Sequence, residues 1–319
     1  MKTILVSIDG TLCDSRHRSH LKGTPDYHNP TEILKDSPVK EGIPRLQDLS
    51  HDYALVYLGK RPTATLSHTE DWLNKWEFPP GSLYTAETHE ERLELVHHLS
   101  TKVDFLAGIG TGWEDNEYHR IGSCLSIILK EDGESWGHVP GIIRGYEREE
   151  KIKENEMTLQ GKIQGLVTVL PLLHSQYGDE LWDSYVQAMS EIIENSRGTR
   201  REEELRELEE LGFHPDDLRD IVRWYTLYNE DMYNNPNFGL QDWEITEAEK
   251  SRCEIRVTRC RYAELWKQQK RPDIGYQLHC RSDETWLDRP AWNPCVRFEH
   301  PKTLMQGDDH CLFIHYIEE

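Results

Sequence analysis

The run Thr3-Ile4-Leu5-Val6-Ser7-Ile8, closing on Asp9-Gly10-Thr11-Leu12, decides how the first half of the chain is read. A short β-rich segment that stops at Asp-Gly is a strand followed by a turn. Outward from it, Ala54 to Leu58 reads as a second strand. Ala64 to Trp76 reads as a helix, from the spacing of Leu66, Trp72, Leu73 and Trp76. Val103 to Ile109 is a third strand, closed by Gly108-Ile109-Gly110, and Leu125 to Leu129 a fourth. Strands alternating with helices predict a mainly parallel sheet covered on both faces. Sites in such sheets lie at the carboxyl ends of the strands, where Asp9, Gly59 and Thr111 fall.

The Gly- and Pro-bearing stretch 134–150 is the expected boundary, giving a first domain over 1–148 and a second over 149–319. From Glu147 to about Tyr233 the apolar spacing is helical, with Ile163, Leu166, Val167, Leu170 and Leu173 on one face. Arg200 to Leu211 reads as a solvated amphipathic helix, and His214-Pro215-Asp216-Asp217 as a helix start. Past Asn234-Asn235-Pro236, Asp242 to Val257 suggests strands and Tyr262 to Lys267 a short helix. Phe298 to Ile317 suggests two strands around a Gly-Asp-Asp turn. The expected class is α/β: a parallel-sheet domain followed by an α+β domain.

With 319 residues, 30% of them charged and 36% hydrophobic, the chain can bury a core without staples. Its formal net charge of −21 repels phosphate backbones and anionic bilayers, so neither nucleic acid nor a membrane is an expected partner. The opening apolar run meets Asp9 too soon for a secretory signal, and the cytoplasm is the expected compartment. Seven irregularly spaced cysteines are expected to be reduced thiols, and five of them fall in the C-terminal fifth.

Ser7-Ile8-Asp9-Gly10-Thr11-Leu12 resembles the first motif of the HAD phosphatase superfamily, Asp-x-Asp-Gly-Thr-Leu. The likeness continues through Tyr57-Leu58-Gly59-Lys60-Arg61-Pro62 and Gly108-Ile109-Gly110-Thr111-Gly112-Trp113-Glu114-Asp115. It implies an HAD-like Rossmannoid fold. The family's chemistry needs an aspartate nucleophile that becomes an aspartyl-phosphate, and this chain has Ser7 in that place. Gly59 replaces the second-motif Thr/Ser, and Thr111 replaces a metal-binding Asp. Asp9 and Asp115 survive, and Lys102 could stand for the phosphate-binding lysine. The expectation is a degenerate site (Ser7, Asp9, Thr111, Asp115) without Mg²⁺, hence a pseudo-phosphatase; a residual phosphatase is the alternative.

Three C-terminal segments carry reactive side chains. Arg259-Cys260-Arg261 places a thiol between two cations, which favours the thiolate. His279-Cys280-Arg281-Ser282-Asp283 offers thiol, imidazole, guanidinium and carboxylate. Gly307-Asp308-Asp309-His310-Cys311 offers acids, imidazole and thiol at a turn. If they converge, they supply a nucleophile, a base and its orienting group, or three to four zinc ligands. Taken singly, each cysteine reads as a small buried hydrophobe.

Cys260-Arg261-Tyr262-Ala263-Glu264-Leu265, Asp273 to Asp283 and Thr303 to Phe313 together resemble the L-2-amino-thiazoline-4-carboxylic acid hydrolase family. Members named for that activity open a thiazoline by hydrolysis to N-carbamoyl-cysteine. The resemblance implies a small-molecule hydrolase acting on a cyclic amidine or thiazoline-like C–N centre. Its catalytic set would be Cys280 first, then Cys260, with Asp283, His310 and Cys311. Arg259 or Arg261 would hold a substrate carboxylate, and the Gly307-Asp308 turn would supply N–H donors. A zinc ion on Cys280, Cys311 and a third group is the metal-assisted version. The Gly307-Asp308-x-x-Cys311-x-Phe313 ending also resembles vinyl-reductase-type ligand domains, a binding or sensing alternative.

Overall fold

The computed structural model describes residues 1–130 and 134–318. It divides into two compact units, Met1–Arg148 and Glu149–Glu319.

The first unit is built on five parallel strands: β1 (Thr3–Ser7), β2 (Ala54–Gly59), β3 (Ser82–Thr85), β4 (Phe105–Gly110) and β5 (Leu125–Ile128), in the spatial order β3-β2-β1-β4-β5. β1 is central, in register with β2 from Thr3 opposite Ala54 to Ser7 opposite Leu58. Its residues are all buried because both faces are covered. Ile4, Val6, Leu55 and Tyr57 belong to one hydrophobic core, while Leu5, Val56 and Leu58 belong to another. That is the period-2 alternation of a strand sorted onto two packed faces. Helices α1 (Gly42–Leu49), α2 (Leu66–Lys75), α3 (His89–Ser100) and α4 (Trp113–Ile121) alternate with the strands. Two glycines of β4 permit close packing of α4. A Cβ on Gly108 would lie 2.0 Å from the His119 ring, and one on Gly110 2.2 Å from the Asp115 side chain.

The expected boundary stretch is mostly helix. A 3-10 turn over Glu134–His138 leads into α5 (Val139–Tyr177), whose Val139 and Ile143 pack into a core of the first unit. Pro140 is tolerated there because a first-turn N–H has no partner within the helix to lose.

In the second unit α5 is followed by α6 (Glu180–Glu210) and α7 (Leu218–Glu230), the last capped by the Asp217 side chain on the Arg219 N–H. Four antiparallel strands come next: β6 (Gln241–Ala248), β7 (Arg252–Cys260), β8 (Val296–Lys302) and β9 (Cys311–Ile317), in the order β8-β9-β7-β6. Cys311 lies opposite Val257, Phe313 opposite Ile255, and Gln241 opposite Cys260. Between β7 and β8 run α8 (Arg261–Gln268), a π-helical turn over Tyr276–Cys280, and α9 (Arg281–Leu287). No helix among the described residues is long and apolar enough to cross a membrane.

Candidate active site

Cys260 ends β7 and forms the N-cap of α8, so the strand-to-helix corner fixes its side chain. Cys280 closes the π turn, and Asp283 follows three residues later on α9. Residues spaced by three share a helix face, and a wide π turn re-aims the side chains it carries. Cys311 opens β9, and its sulfur accepts the Leu304 N–H at 3.2 Å. Cys260 and Cys280 pack on one hydrophobic cluster with Leu265, Trp266 and Met305.

Electrostatics ties these groups together. The Cys280 thiol is pushed up strongly, first by burial and then by the charges of Asp283, Cys311, Cys260 and Glu284. Cys311 is pushed up to about 11 by burial, with Cys260 and Asp283 adding to it. Asp283 is raised from 3.8 to about 7, by burial and then by Glu284. Cys260 is raised by burial as well, but its neighbours oppose the shift. The Ala263 and Tyr262 N–H groups at the start of α8 and the Gln241 amide all favour the thiolate. Gln241 Nε2 lies 3.9 Å from its sulfur. Charge on Asp283 therefore disfavours charge on each of the three thiols, and Cys260 is the thiol most assisted toward ionisation.

That ranking reverses the order expected from sequence, and the flanking arginines do not act as expected. Arg259 is spent on Glu156 at 2.9 Å and Glu264 at 3.3 Å. Arg261 is spent on Glu264 at 2.7 Å and Glu156 at 3.3 Å. Neither guanidinium is among the leading influences on Cys260, and both already hold carboxylates of the chain. The Gly307-Asp308 turn is likewise committed. Gly307, at φ +107°, donates its N–H to Leu304, and Asp308 donates its own to Thr303. The Asp308 carboxylate returns to the Thr303 N–H at 2.8 Å. These groups build the turn that presents Cys311. His310 turns to Asp309, with Nδ1 2.7 Å from Oδ1. His279, the imidazole of the same segment as Cys280, has its ring 4.6 Å from that of Tyr262 and is held neutral by burial, at about 4.

In the first unit, the Ser7 hydroxyl donates to Asp115 Oδ1 at 2.8 Å. Asp115 also accepts the N–H groups of Thr111 and Gly112, and Lys60 Nζ lies 3.3 Å from it. Asp9 accepts the Lys60 N–H at 2.7 Å and Arg61 Nε at 2.9 Å. Burial alone would raise its pKa, but Arg61, the Lys60 N–H and Arg18 outweigh that and hold it below the ordinary value. Arg18 and Arg61 are fully buried and both pair with the buried Asp36. Asp9, Cys13 and Asp36 are the one set of three or more ligand-type groups, among the described residues, whose ligand atoms all lie within 4.8 Å of one another. Two guanidiniums already balance its two carboxylates, so a divalent cation would have to displace one.

A family model described as L-2-amino-thiazoline-4-carboxylic acid hydrolase matches residues 173–315, within the second unit. No curated protein matches. Among solved structures, a chain from "Structure of Pnkp1/Rnl/Hen1 complex" is similar at 17% identity and a TM-score of 0.33, over 40% of this chain and 46% of that one. This chain thus spans under half the length of that one.

Proposed function

We propose that the second unit is a small-molecule hydrolase in which Cys260 is the nucleophile and Asp283 carries the proton. The observation behind this is the Asp283 carboxyl, held near 7 by burial beside Cys260, Cys280 and Cys311. A group that titrates near the working pH is the best proton shuttle. A thiol at a helix N-terminus is the one most readily ionised.

On a cyclic amidine or thiazoline the steps balance as follows. The Cys260 thiol adds across C=N, sulfur to carbon, its proton passing through Asp283 to nitrogen. The nitrogen lone pair re-forms C=N as the ring bond from that carbon to its leaving heteroatom breaks, and Asp283 relays the released N–H proton to the heteroatom. Water then attacks the S-linked carbon, leaving a carbonyl in the product and a free thiol on Cys260. His279 stands as a neutral imidazole beside this path, and Cys280 and Cys311 keep its walls compact.

The test is turnover of a panel of thiazolines and cyclic amidines, with and without a carboxylate. Cys260→Ser should abolish it, and Asp283→Asn should lower it by roughly 10²–10⁴-fold. Full activity in Cys260→Ser would sink the reading.

Zinc is the weaker reading, because no three of Cys260, Cys280, Asp283 and Cys311 bring their ligand atoms within 4.8 Å of one another, as a shared tetrahedral ion requires. Metal analysis of the full-length protein, with Cys280→Ala and Cys311→Ala, separates the two. A stoichiometric ion without turnover would favour the binding-module alternative.

For the first unit we propose an HAD-like fold without phosphatase chemistry. Ser7 offers a hydroxyl bonded to Asp115, and Asp9 is held by Arg61. Phosphatase assays with Mg²⁺ should stay at background, and activity that falls in Asp9→Asn would overturn this.

A further inference from the structure

A cavity of about 210 Å³ opens beside the thiol cluster, between α7 and the face of β6, β7 and β9. Tyr225, Trp243 and Phe313 supply aromatic walls, and Gln241 and His315 supply polar atoms. Lysine, arginine, aspartate and glutamate are all missing from its described lining. Gln241 joins the two regions, since it lines the cavity and sits opposite Cys260 in the sheet, its amide 3.9 Å from the sulfur. Cys311 and Phe313 are alternate residues of β9, so they share a face.

We infer that this cavity is the substrate pocket and that it takes a neutral, single-ring molecule rather than an amino-acid-like anion. The inference rests on the reading of Cys260 as the reacting thiol. Size sets the first limit: a cavity of ~150 Å³ is enough for benzene, and drug-sized ligands need ~300 Å³ or more. Charge sets the second. A carboxylate moved from water into a cation-free, aromatic-lined cavity loses its hydration and gains no partner. The nearby arginines cannot help, because Arg259 and Arg261 are both engaged by Glu156 and Glu264. The compound in the matching family's name carries such a carboxylate, so this chain's substrate would differ in class.

His315 lines the pocket without bringing a charge to it. It is 2% exposed, and its Nδ1 has no hydrogen-bond partner. Burial holds the ring neutral, at about 4, so at neutral pH it offers no charge to an anion.

The experiment is calorimetric titration of the full-length protein with benzamide and with benzoate, which share a ring and differ in charge. Benzamide should bind at least 10-fold more tightly. Phe313→Ala, which removes a wall, and Leu287→Trp, which fills the space, should each weaken benzamide at least 10-fold. Equal or tighter binding of benzoate, or benzamide binding untouched by both pocket variants, would overturn the inference. The two readings fail separately. Turnover of carboxylate substrates without benzamide binding leaves Cys260 as nucleophile and removes the neutral pocket. Benzamide binding with turnover that survives Cys260→Ser does the reverse.

Discussion

Replacing Asp283 by asparagine should stabilise the protein above pH 7 while it damages catalysis. Asp283 has a folded-state pKa raised from 3.8 to about 7. Between those values the unfolded chain has lost its proton and the folded chain has kept it. Stability therefore falls as pH rises from about 4 to about 7 and is level beyond. At about 1.36 kcal/mol per pH unit the full penalty on the charged form is about 4 kcal/mol. Asp283 retains partial solvent contact, and screening reduces the expected gain in Asp283→Asn to ~2 kcal/mol at pH 8. At pH 3.5 both side chains are neutral and the difference should vanish. Scanning calorimetry of the full-length protein at the two pH values reads this as a rise of about 4–8 °C in one transition at pH 8 and none at pH 3.5. A variant that melts at or below wild type at pH 8 would refute the claim that this carboxyl is paying a burial penalty.

Other substitutions test the first unit. Arg61→Ala should cost about 3–5 kcal/mol in denaturant unfolding, because it strips Asp9 and Asp36 of a buried cation. Gly108→Ala should cost about 1–3 kcal/mol, since its methyl meets the His119 ring at 2.0 Å. Gly145→Ala, mid-helix with nothing within 4 Å, should be neutral or gain up to about 1 kcal/mol.

The parallel sheet was readable because each strand announces itself locally: Thr3 to Ile8 before Asp9-Gly10, and Val103 to Ile109 before its glycines. The edge strand Ser82–Thr85 was not, being four residues long and only half-buried. The antiparallel sheet and the helix starting after Asp217 were legible from alternation and capping residues. The pairing of Arg18 and Arg61 with Asp36 had no such signal. Its members sit in irregular segments, and only the tertiary fold brings them together. In the candidate site the residue types were readable, but the surroundings that set their ionisation were not. Arg259 and Arg261 flank Cys260 in sequence, yet their charge goes to Glu156, about a hundred residues earlier. Neighbours along the chain predicted a thiolate, whereas burial produced thiols.

The central claim is that Cys260 and Asp283 occupy one site and feel each other's charge. The most direct measurement is the alkylation rate of Cys260 by iodoacetamide between pH 6 and 10, followed by peptide mass spectrometry in wild type and Asp283→Asn. Removing the carboxylate should shift the Cys260 profile to lower pH and speed labelling at pH 8. Superimposable profiles would mean that the two groups do not share a site.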